Sequence, residues 1–112
     1  MLKDKALSML GLARKAGRLS MGHDAAKQSV LNGKAKQLIF CSDASPRLVK
    51  EFKNLIEVQG IDLLALETQL TMDEIHFFVG GRVGVMTVDD ENFSRRINIL
   101  LTQEENANGD KG

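Results

Sequence analysis

The short apolar run Gln37-Leu38-Ile39-Phe40-Cys41 constrains the fold more than any other segment. A strand made of it presents apolar side chains to both faces, so both faces need a cover. Helical patterns stand ready on either side. Upstream, Leu2, Ala6, Leu10 and Ala13 recur at helical spacing until Gly17, which gives a helix over residues 3–16. Arg18 to Met21 alternates as a short strand, and Gly22 opens a second amphipathic helix through Ala26 and Val30 that Asn32-Gly33 stops.

Downstream, Ser45-Pro46 is a strong helix start, a side-chain acceptor followed by a proline at the position where a missing N–H is harmless. That helix carries Leu48, Val49, Phe52, Leu55 and Ile56 to Gly60, and Ile61 to Leu66 reads as the next strand. Thr71-Met72-Asp73-Glu74 is a capping box leading into Ile75, Phe77 and Phe78, with Gly80-Gly81 as the break. Val83 to Val88 is a β-branched strand, and Asp89-Asp90 caps a last helix with Phe93, Ile97, Leu100 and Leu101 on one side. The order αβαβαβαβα with short links calls for an α/β fold, a three-layer α/β/α sandwich around a small, mostly parallel mixed sheet of about four strands.

A chain of 112 residues has room for one modest core and none for separate cofactor and substrate domains. Residues 1–101 are read as that one domain, and the polar end 102–112 (TQEENANGDKG) as a disordered tail. The single cysteine forms no internal disulfide, no secretory leader pattern opens the sequence, and no apolar stretch approaches the roughly 20 residues of a membrane helix. A cytoplasmic protein with no membrane association is expected.

The formal net charge of zero conceals a segregation of charge. Residues 1–36 hold eight basic against two acidic side chains, and the remainder seven against thirteen. Such asymmetry fits a bipolar surface whose basic pole meets an anionic partner. Arg14 and Lys15 close the first helix, where cations also complement the dipole, but that does not account for Arg18, Lys27, Lys34 and Lys36. Together these six form a basic band flanking the Gly22 turn, consistent with recognition of a nucleic-acid backbone. The absence of Trp and Tyr, with burial expected of the five Phe, argues against an aromatic platform for single strands and for shape-directed recognition of folded RNA.

No catalytic constellation emerges. Gly17 to Gly22 has the two-glycine spacing of a phosphate loop, yet His23-Asp24 stands where Lys and Ser/Thr must reach phosphate and magnesium. Cys41 reads as a core residue, and one Cys with two separated histidines, His23 and His76, lacks metal-ligand spacing. Asp73-Glu74 and Asp89-Asp90 fall at helix starts, where the dipole explains them. The chain is therefore read as a non-enzyme with neither cofactor nor metal.

The segments Gly11-Leu12-Ala13-Arg14-Lys15-Ala16-Gly17-Arg18-Leu19-Ser20-Met21-Gly22 and Asn32-Gly33-Lys34-Ala35-Lys36-Gln37-Leu38-Ile39-Phe40-Cys41-Ser42-Asp43-Ala44-Ser45 resemble the kink-turn-binding ribosomal proteins of the L-seven-Ae / L-thirty-e family. The likeness is greatest to its small bacterial YlxQ-type members and extends over about residues 3–100. It implies the same α/β/α sandwich and RNA contact by Gly22, His23, Asp24 and Gln28 at the start of helix two and by Gly80, Gly81 and Arg82 in the loop before the last strand. Family members carry Gly-x-Asn-Glu-x-x-Lys at this helix start. Here Asp24 stands at the Asn position, Ala25 at the Glu position and Gln28 at the Lys position, with Lys27 as displaced charge. The resemblance thus implies altered preference for a standard kink-turn. The expected partner is structured RNA, ribosomal RNA foremost, with a ribosome or translation-factor association. The rival reading is a protein-binding adaptor that uses the acidic half as its contact surface.

Overall fold

The computed structural model describes residues 2–110, with the backbone alone over 104–110. Its elements are α1 (Leu2–Lys15), β1 (Leu19–Met21), α2 (His23–Leu31), β2 (Gln37–Phe40), α3 (Pro46–Gln59), β3 (Leu64–Glu67), α4 (Met72–Phe78), β4 (Val85–Val88) and α5 (Glu91–Asp110). The strands form one sheet in the order β1-β4-β2-β3. β2 and β3 pair parallel, whereas β4 pairs antiparallel with both β1 and β2. Strands β1, β2 and β3 therefore point one way and β4 is inserted against them. The mixed α/β sheet is as expected, although its two pairings through β4 are antiparallel.

Burial follows from this order. β2 and β4 lie centrally and are buried at every position, while β3 lies at an edge and is half exposed. One face of the sheet packs Leu7 and Leu10 of α1, Ile75 of α4 and Ile97 of α5 against Ile39, Met86 and Val88. The other packs Ala26 of α2 and Phe52 of α3 against Leu38, Phe40 and Val85. Three layers result, as the doubly apolar β2 run requires. Gln37 is carried into the core by its place in that run, and its side-chain amide has no hydrogen-bond partner in the protein.

The capping chemistry forms as expected at two helices. Ser45 accepts from the Leu48 N–H ahead of Pro46, and Thr71 and Glu74 complete a reciprocal capping box. At α5 the expected Asp89-Asp90 pair divides its labour. Asp90 accepts from the Phe93 N–H at 3.0 Å, but Asp89 points away and accepts from the hydroxyls of Ser20, Ser29 and Thr87 at 2.5, 2.6 and 2.7 Å. Three hydroxyls satisfy its carboxylate better than a second cap would, and they tie β1, α2 and β4 together. The strand expected over 61–66 begins only at Leu64, because Gly60 ends α3 in a left-handed turn and 61–63 make the connection. α5 continues to Asp110, past residue 101 where composition places the end of the domain, and residues 111 and 112 of the expected tail lie outside the described residues.

Candidate nucleic-acid interface

The turn from β1 into α2 is set by Gly22. Its φ of 92° and ψ of 170° fall in a region open essentially to glycine alone. Its N–H donates to the Val85 carbonyl at 2.9 Å, fastening the turn to the start of β4. Gly22 brings no side-chain acceptor to the helix start, so the first turn of α2 presents backbone N–H groups and the positive end of its dipole.

A second loop comes up beside it. The Arg14 guanidinium donates to the Val79 carbonyl at 2.9 Å and lies over Gly80, where a Cβ would stand 2.5 Å from its Nη1. A Cβ on Gly81 would stand 3.2 Å from the Met21 Cε, and one on Gly22 3.6 Å from Val83. The Arg14 side chain, the Gly22 turn and the Gly80-Gly81 loop thus converge at one end of the sheet, two of the contacts being close because glycine leaves room, while the backbone end of α1 is tied toward the other end by the Arg18 N–H, which donates to the Ala13 carbonyl at 2.8 Å. Arg14 has a structural duty here as well as a charge, since it closes the C-terminal end of α4.

His23, the first residue of α2, is held by two carboxylates. Its Nδ1 lies 2.8 Å from Asp24 and its Nε2 2.7 Å from Glu51 of α3, and its ring meets Phe52 edge-on at 5.6 Å. The hydrogen bond to Asp24, then that to Glu51, raises the imidazole above its ordinary 6.5, and the same contact lowers Glu51. Asp24 and Gln28 lie four apart and share an exposed side of α2, the Asp24 side chain being fully exposed. Lys27 turns toward α3 and lines a shallow pocket with Glu51 and Phe52.

The expected basic band is divided. Arg18, whose carbonyl accepts from the Asp89 N–H, and Lys36, whose N–H donates to the Val88 carbonyl, sit with Lys34 at the other end of β1 and β4. β1 spans three residues, so this second group stands about 10 Å from the Gly22 end. Lys15 remains exposed on the last turn of α1. Arg82 is exposed and paired with Asp73 at 3.1 Å.

Cys41 is buried, donates to the Val83 carbonyl at 3.4 Å, and is pushed up to about 12, chiefly by burial. Such a thiol is not a nucleophile. Among the described residues no group of three or more His, Cys, Asp and Glu gathers as a metal site, and no helix is long and apolar enough to cross a membrane.

The expectation that all five Phe are buried is wrong. Phe77 is 81% exposed and Phe78 44%, their rings meeting edge-on at 5.1 Å. α4 has only seven residues and buries one narrow side through Ile75. Adjacent helix positions differ by about 100°, so a Phe-Phe pair cannot lie wholly within such a stripe. That spacing was the available signal.

No protein-family model matches the chain. It is 26% identical over 99 residues to the RNA-binding protein YlxQ of Enterococcus faecium, covering 88% of this chain and 93% of that one. A protein of unknown function from Bacillus halodurans matches in structure with a TM-score of 0.73 and 27% identity, over 88% of this chain and 97% of its own. A 15.5 kD RNA-binding protein from Giardia lamblia shares the fold at a TM-score of 0.65 and 17% identity, over 93% of this chain and 88% of its own. The resemblance drawn from the Gly11–Gly22 and Asn32–Ser45 segments is borne out.

Proposed function

We propose that this chain, whose resemblance to the L-seven-Ae / L-thirty-e family holds in sequence and in fold, is a non-enzymatic RNA-binding protein. The observation that carries the reading is the convergence of the cap-free α2 N-terminus at Gly22 with the Arg14-braced Gly80-Gly81 loop on one exposed face. Glycine lets a phosphate or base edge approach bare backbone N–H groups there, and flanking cations position the sugar-phosphate chain. The similarity to YlxQ supports the same reading. The RNA is structured and kink-turn-like, with ribosomal RNA its source in the cytoplasm and a ribosome or translation factor its setting. Arg18, Lys34 and Lys36 form a second phosphate contact about 10 Å from the first, a separation that a folded RNA spans across a groove.

The test is purification of the full chain from cells under low salt. Copurified RNA, seen as a raised 260 to 280 nm absorbance ratio and released by a high-salt wash, is expected. A chain that purifies free of nucleic acid, and captures none from a ribosomal RNA preparation at low salt, would refute the reading. Sequencing RNA crosslinked in cells then identifies the target.

A further inference from the structure

We propose that His23 is a positioning residue for RNA at the Gly22 turn: bound at once to Asp24 and Glu51, its imidazolium neutralises and holds the carboxylate that would otherwise oppose an incoming phosphate. The proposal rests on the reading of that turn as an RNA contact and adds a dependence on pH. Asp24 is the one acidic side chain of α2, and it stands fully exposed in the first turn, beside the N–H groups that the capless Gly22 start leaves bare. A loose carboxylate there repels a phosphate and competes with it for the same N–H groups.

The geometry makes that restraint depend on one proton. His23 Nδ1 lies 2.8 Å from Asp24 and Nε2 lies 2.7 Å from Glu51 of α3. A neutral imidazole has one N–H and one lone pair, so it can donate to only one of two ionised carboxylates, whereas the imidazolium donates to both. Glu51 and the edge of Phe52, at 5.6 Å, fix the ring from the α3 side, and loss of the proton frees the exposed Asp24. Among the described residues, the charged groups near this contact are few. β1 (Leu19–Met21) and β4 (Val85–Val88), which pack against α2, carry no ionisable side chain; α2 adds Lys27, and α3 adds Arg47 beside Glu51. Asp89 meets Ser29 toward the other end of α2 and is engaged by three hydroxyls. Asp24 first and then Glu51 raise His23 above its ordinary 6.5, which extends the charged ring toward neutral pH. Protonation therefore favours RNA, and by linkage RNA favours the protonated ring.

The experiment measures affinity of the full chain for fragmented ribosomal RNA at fixed salt between about pH 6 and about pH 8.5, in the native protein, His23→Gln, Asp24→Asn and the double variant. Proton NMR follows the His23 ring through the same range with and without RNA, and melting curves confirm that each variant is folded. The expected result is native affinity that weakens about fivefold or more toward the alkaline end, a slope that His23→Gln abolishes and His76→Gln retains. Asp24→Asn should bind at high pH about as tightly as the native chain does at low pH, and in that background His23→Gln should cost little. RNA should move the His23 titration to higher pH. A pH-independent native affinity, a slope that follows His76, or a His23→Gln loss undiminished in Asp24→Asn would overturn the proposal while leaving the RNA interface standing. Absence of RNA binding by the native chain throughout the range would overturn both.

Discussion

On the proposed reading of the Gly22 turn as an RNA contact, three exposed positions at the start of α2 decide what kind of RNA it meets. Asp24 presents a carboxylate that is already engaged by His23, Ala25 presents no polar group, and Gln28 presents an amide on the same side as Asp24. Relative to the pattern of the family the chain resembles, the carboxylate expected at position 25 and the cation expected at position 28 are replaced by Ala25 and Gln28, and one good bidentate contact to a base edge is worth roughly 1–3 kcal/mol, about tenfold to a hundredfold in affinity. Restoring the family pattern by Asp24→Asn, Ala25→Glu and Gln28→Lys together is expected to tighten binding to a kink-turn hairpin at least tenfold in a gel-shift titration at fixed salt. Nanomolar binding by the unaltered chain with no gain in the triple variant would show that these positions do not meet the RNA.

At the scale of elements, α2 is joined to α3 by one titratable contact. His23 bridges Asp24 on its own helix and Glu51 on α3, with Lys27 and Arg47 as the cations near Glu51. The imidazole is raised from 6.5, so its contribution to stability is complete below pH 6.5 and is lost as pH rises through the higher folded value. Glu51 is lowered from 4.5, so its contribution is complete above that value and lost as pH falls through the lower folded value. The bridge is thus strongest between these limits. The melting temperature of the native chain relative to His23→Gln should be greatest near pH 5.5 and shrink toward pH 8.5, and an advantage that grows with alkalinity would contradict the bridge.

The elements also show which sequence signals suffice. Ser45-Pro46 and Thr71-Glu74 specify their helix starts through side-chain chemistry confined to three or four residues, and both form. The doubly apolar 37–41 run forces helices on both faces, and the layers follow. Where a residue's role depends on distant chain, local pattern falls short. Asp89 looks like a cap until the hydroxyls of Ser20 and Ser29 arrive beside it. Arg14 looks like a free cation until the α4–β4 loop brings the Val79 carbonyl within reach. The antiparallel insertion of β4 belongs to the same class, because strand order is decided by packing and not by any one segment.

For the molecule as a whole, chain order becomes charge geography. β1 is an edge strand, and α1 and α2, which flank it in sequence, bring the basic residues 1–36 to that side, whereas the acidic remainder includes β3 at the opposite edge. Within the basic side the Arg14 guanidinium reaches the Gly22–Gly80 end, while Arg18, Lys34 and Lys36 gather at the other end of β1 and β4. A single folded RNA bridging both ends would release several counterions at once. The measurement that tests this most directly is affinity for fragmented ribosomal RNA between about 50 and 300 mM salt, in the native chain and in Arg18→Glu. The account predicts a steep linear fall of log affinity with log salt, with Arg18→Glu flattening the slope by about one to two units. A slope that Arg18→Glu leaves unchanged would remove the second group from the interface, and a native affinity indifferent to salt would contradict the RNA-binding account itself.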